Sequence, residues 1–123
     1  MKANSLSTRR FQELKVWQKA HQLVLHVYRV TRGFPADERF GLVSQMRRAA
    51  VSVPANIAEG FAGRGTREKL NFYNLVQSSL EELKYYFILA KDLEYLDSTE
   101  DLLPLADEVA RMLSGWTKGL RTS

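Results

Sequence analysis

No cysteine occurs in this 123-residue chain, so neither a disulfide nor a thiolate-held zinc can shape it, and a reducing, cytoplasmic setting is the expectation. Long apolar runs are missing too. No charge-free stretch approaches the roughly 18 residues of a membrane helix, and the polar start MKANSLSTRR lacks the apolar centre of a secretory signal, so neither membrane insertion nor export by that route is expected. Alternating strand patterns, internal repeats and low-complexity segments are absent. With 45% apolar and 26% charged residues, the composition is that of an ordinary globular chain, of a length for one domain over 1–123. Residues 1–10 read as a flexible leading segment.

Helical spacing fills the rest. Between Phe11 and Arg32, Leu14, Trp17, Val24 and Tyr28 form one apolar stripe, and Val16, Ala20, Leu23, Val27 and Val30 form another beside it. Gly33 and Pro35 end that helix. Val43, Met46, Ala50, Val53, Ile57 and Gly60 keep helical spacing straight through Pro54. A proline there removes the amide that would bond the Ala50 carbonyl and predicts a kink in the second helix. Gly60, Gly63 and Gly65 loosen the chain before Thr66, which is expected to cap a third helix. In that helix Tyr73, Val76, Leu80, Leu83, Phe87 and Ala90 form one stripe. Phe72, Leu75, Ser79, Glu82, Tyr86, Leu89, Leu93 and Leu96 form a second, apolar except at two positions. Asp97 and Ser98 turn the chain, and Leu102, Ala106, Val109, Leu113, Trp116 and Leu120 mark a fourth helix with Pro104 near its start. Short connections force antiparallel neighbours, giving an all-α, up-down-up-down four-helix bundle.

Catalytic and cofactor signatures are incomplete. GFAGRG has the order G-x-x-G-x-G, with no strand before it and no Gly-Lys-Ser/Thr after it, so it lacks the parts of a nucleotide loop. His21 and His26, five residues apart, do not share a helical face, and Glu-x-x-His pairs are missing, so no metal is expected. Glu81 and Glu82 point apart, and nothing assembles a nucleophile with its base. No catalytic residue and no cofactor is assigned.

Arg48, Ser52, Asn56 and Glu59 share one face of the second helix. Folding the hairpin about Arg64 sets Arg48 against Ser79 and Glu82, and Glu59 against Lys69. Folding the outer hairpins brings His21 and Ser114 to the same level. These eight residues, His21, Arg48, Ser52, Asn56, Glu59, Ser79, Glu82 and Ser114, are expected to form a structural polar layer that fixes helix register, with an Arg48–Glu82 ion pair inside it. An enzyme built on that layer would need a solvent-connected cavity there.

The string QMRRAAVSVPANIAEGFAGRG, preceded by FQELKVWQKA and GFPADERFGL and followed by SSLEEL, resembles the four-helix-bundle family encoded in intervening sequences of bacterial 23S ribosomal RNA genes. The likeness spans nearly the whole chain. It is specific over Arg48, Ser52, Pro54, Asn56, Ile57, Glu59, Gly60, Ser79, Glu82 and Leu83, and weak after Leu96. The resemblance implies a closed ring of five bundles and brings no established enzymatic activity. A related bundle, the accessory protein of diversity-generating retroelements, is understood to bind nucleic acid and a reverse transcriptase, and no residue motif carries that role onto this sequence.

Charge separates along the bundle. The start of helix one, the second connection and the end of helix four share a pole that collects Lys2, Arg9, Arg10, Lys15, Lys19, Arg64, Arg67, Lys69, Lys118 and Arg121 against Glu13 and Glu68. The opposite pole holds Arg29, Arg32, Arg39 and Lys91 against seven acids from Asp37 to Asp101. The leading functional expectation is a non-enzymatic oligomer, a pentamer, that meets RNA or DNA backbones or a ribonucleoprotein through Arg9, Arg10, Lys15, Arg64, Arg67, Lys69, Lys118 and Arg121. The alternative is a scaffold that docks another protein without nucleic acid.

Overall fold

The computed structural model describes residues 10–122, which form four long helices: α1 Lys15–Thr31, α2 Leu42–Ala62, α3 Thr66–Asp92 and α4 Leu102–Thr122. Two single 3-10 turns, Phe11–Glu13 and Ala36–Glu38, precede α1 and α2. Of the expected leading segment, only Arg10 falls within the described residues. Each helix packs on the two beside it, α1 on α2 and α4, and α3 on α2 and α4, with the α2–α3 seam the most extensive. Among the described residues the backbones of diagonal helices do not approach each other closely, so the architecture is the antiparallel four-helix arrangement read from the sequence.

The core follows the stripes closely. Met46, Ala50, Val53 and Ile57 of α2, and Val76, Leu80, Leu83, Phe87 and Ala90 of α3, are all but sealed from water. Of the two stripes on α1, the inner one is Val16, Ala20, Leu23 and Val27, while Trp17 and Tyr28 are half-buried beside it. Leu14 does not belong to the helix: its backbone is extended, and its buried side chain joins the core. Pro54 lies buried inside α2, and the helix continues past it to Ala62.

The start of α2 and the end of α1 find partners that the local sequence does not name. Glu38 Oε1 accepts the Leu42 amide at 3.2 Å, and its other oxygen accepts the Tyr95 hydroxyl at 2.8 Å, so one carboxylate caps α2 and ties two connections together. Phe34 packs against the Tyr95 ring, centroids 5.3 Å apart. At the far end of α1, Thr31 Oγ1 donates to Val27 O at 2.7 Å and accepts from Arg47 Nε at 3.0 Å. After α3 the chain turns through Glu94, the one non-glycine residue with positive φ among the described residues, at 65°. Thr66 is not the cap expected for α3. Gly65, extended at φ −142°, occupies that position without a side-chain bond, and Thr66 is already helical.

Candidate nucleic-acid interface

Antiparallel packing brings the start of α1, the Gly63–Gly65 link and the end of α4 to one end of the molecule. Arg10, Lys15, Arg64, Arg67 and Lys118 stand exposed there, together with the acids Glu13, Glu59 and Glu68. Beside them Arg10, Phe11 and Gln12 face Ala58, Phe61 and Ala62 across an open cleft of about 450 Å3. Arg9 and the side chain of Arg121 lie outside the described residues. Lys69 has different work: its ammonium donates to Gly60 O at 3.1 Å and Phe61 O at 2.8 Å, satisfying carbonyls at the end of α2, and lies 5.9 Å from the Phe61 ring. The expected Glu59–Lys69 meeting is replaced by this cap, which places the ammonium at the negative end of the helix dipole.

The polar residues of α2 and α3 are brought together only in part. Ser52 and Ser79 share a hydrogen bond at 2.5 Å across the seam, and Asn56 Nδ2 donates back to Ser52 O at 2.8 Å. All three are half-buried, whereas His21, Arg48, Glu59, Glu82 and Ser114 are exposed. His21 stacks on Trp17 with centroids 5.0 Å apart and planes 11° off parallel, and Ser114 accepts a long 3.4 Å bond from Gln77.

The Arg48–Glu82 ion pair is not formed. Arg48 donates to Gln45 on its own helix, and Glu82 accepts the Tyr86 hydroxyl at 2.7 Å. Two solvated charges gain little by pairing across helices, so nearer partners win. The interior between α2 and α3 is filled instead by Met46, Leu80 and Leu83. The phenol of Tyr86 is held above the ordinary tyrosine range, chiefly by its bond to the Glu82 carboxylate.

A second cluster, at the opposite end, was not singled out in the sequence. Arg39, Arg47 and Arg48 line an open groove of about 490 Å3 together with Tyr28, Phe40 and Ser44. Arg47 is fixed: besides Thr31 it reaches Tyr28 O at 3.5 Å, and its guanidinium lies 4.4 Å over the Tyr28 ring. Arg39 sits 5.6 Å from the Phe40 ring, which is 88% exposed. None of the three guanidiniums has a carboxylate within 4.0 Å among the described residues, where ion pairs include Lys19–Glu108, Lys84–Glu81 and Lys84–Asp107. Only the Arg-Phe and Arg-Arg neighbours in RFGLVSQMRR hinted at it, and linear spacing cannot bring Tyr28 alongside.

Among the described residues no group of three or more histidines, aspartates or glutamates could hold a metal ion. No helix among them is long and apolar enough to cross a membrane. The model of one family, described as 23S rRNA-intervening sequence protein, matches residues 12–115. No curated protein matches the chain.

Proposed function

Because the chain belongs to the family of 23S rRNA-intervening sequence proteins, we propose that it is a non-enzymatic bundle that binds RNA or DNA backbones, alone or within a ribonucleoprotein. The observation that carries this reading is the meeting of Arg10, Lys15, Arg64, Arg67 and Lys118 at one end, contributed by segments far apart in sequence and all exposed. Such a cluster draws phosphates by long-range attraction and releases their counterions on contact, with a chain of net charge +4 behind it. Recognition of this kind follows the backbone and not the base sequence. The bundle assembles as a ring of five in a bacterial cytoplasm, so that neighbouring basic ends combine into one surface longer than any single copy offers. Exposed Leu75, Tyr85 and Ile88 on α3 supply apolar surface for those contacts.

Filter binding to a mixed-sequence duplex across a salt series tests the reading. Affinity is expected to fall steeply as salt rises, by about 0.9 log unit per log unit of salt for each phosphate engaged. Arg64→Glu with Arg67→Glu is expected to weaken binding and flatten that slope. A flat salt response in the unaltered protein, with a second polypeptide still captured after nuclease treatment, would leave a protein-docking scaffold as the better account.

A further inference from the structure

The arginine groove at the α1–α2 end is built differently from the basic end, and its chemistry is more selective. We infer that it seats one unpaired nucleotide of a single-stranded RNA or DNA, the base stacking on Phe40 and the phosphate meeting Arg39 and Arg48. The inference rests on the nucleic-acid reading above and adds to it a contact that prefers strands over duplexes.

Three observations converge. A phenylalanine ring that is 88% exposed and flanked by a guanidinium is a ready stacking platform, since every base has a flat face and exposed aromatic rings otherwise tend to be covered. The groove's volume of about 490 Å3 suits a ligand of nucleotide size, and a duplex, whose bases already stack on each other, offers the Phe40 ring no free base face. Its three guanidiniums lack carboxylate partners among the described residues, although this end of the chain also carries Asp37 and Glu38. Glu38 is turned away, both its oxygens committed to the Leu42 amide and the Tyr95 hydroxyl.

Arg47, held by Thr31, Tyr28 O and the Tyr28 ring, forms a rigid floor, so the cost of ordering that side chain is met before any ligand arrives. Arg48 spends one donor on Gln45 and keeps the rest of its fork for a phosphate. An acidic peptide would use the guanidiniums and leave the Phe40 ring without a role. The groove lies about 20 Å along α2 from the basic end, so the two surfaces can be altered separately.

Fluorescence anisotropy with the full chain, a labelled 12-nucleotide oligouridine and a labelled 12-base-pair duplex reads the outcome. Both Phe40 and Arg39 are exposed, so Phe40→Ala and Arg39→Glu leave the fold intact. Each is expected to weaken oligouridine binding about tenfold while duplex binding is unchanged, whereas Arg64→Glu with Arg67→Glu weakens both. If oligouridine binding ignores Phe40→Ala and Arg39→Glu yet falls with the basic-end variants, the groove assignment is wrong and the basic-end reading stands. A groove that instead binds a labelled oligoglutamate peptide in a Phe40-dependent manner, or a Phe40→Ala variant whose native mass drops, also overturns it, the first in favour of an acidic partner and the second in favour of a subunit contact. No binding of either nucleic acid by the unaltered protein overturns both readings.

Discussion

At the scale of single residues, Gly60 shows how one missing side chain sets the packing of two helices. A Cβ placed there would stand 2.5 Å from Cε1 of Tyr73, inside any tolerable contact, and the Tyr73 ring is itself sealed in the core at 2% exposure against the edge of Trp116. Gly60→Ala therefore has to displace a ring with nowhere to go. The expected loss is about 1–3 kcal/mol of unfolding free energy, as for other overpacked cores, measured by urea denaturation. Gly115→Ala, with nothing within 4 Å of the added methyl, is the matched control and is expected to hold or gain stability. Gly60 was visible in the sequence as a core position because helical spacing reports which face a residue occupies. Arg47 was not, although it is the arginine with the most fixed surroundings. Its neighbour Arg48 shares a face with Ser52, Asn56 and Glu59 and so drew the structural role. What fixes Arg47 is Thr31 and Tyr28 on another helix, and no spacing within α2 encodes that meeting.

At the scale of elements, the α2–α3 hairpin shows why the sequence set the topology correctly and the register one helical turn short. Equal rise about Arg64 opposes Arg48 with Ser79, whereas Ser79 meets Ser52. Side chains lean toward the N-terminus of their own helix, so in an antiparallel hairpin those of α2 lean away from the connection and those of α3 toward it. Pairs that touch are therefore shifted along the seam. The same shift lets Lys69 reach past Glu59 to the carbonyls of Gly60 and Phe61. Within α2, Pro54 offers no amide to the Ala50 carbonyl and its ring crowds that carbonyl, which predicts a bend between the two halves of the helix. Residual dipolar couplings over residues 42–62 are expected to return two helix axes, and Pro54→Ala is expected to bring them together. A single straight axis in the unaltered protein would remove the bend.

At the scale of the whole molecule, four titrating groups shift the same way, and together they set how the fold answers alkali. Burial raises the Tyr73 phenol; bonds to the carboxylates of Glu82 and Glu38 raise Tyr86 and Tyr95; and hydrogen bonds to Asp107 and then Glu81 raise the Lys84 ammonium. Each holds its proton more tightly folded than unfolded. Below about 10, where free tyrosine and lysine are still protonated, these contributions are complete. As pH climbs, the unfolded chain releases protons first, so the folded state binds more of them and stability falls until the folded groups have titrated as well. Two of the four join separate parts of the bundle: Lys84 bridges α3 to α4 through Asp107 at 3.0 Å, and Tyr95 ties the connection after α3 to Glu38 before α2. Denaturation midpoints are thus expected to be level from pH 8 to about 9.5 and to decline above 10, more steeply than for a variant carrying Lys84→Met and Tyr95→Phe, whose midpoint starts lower and changes less. Parallel curves for the two proteins would mean that these bonds exert no hold on the bundle, and a midpoint that rises with alkali would reverse the sign argued for all four groups.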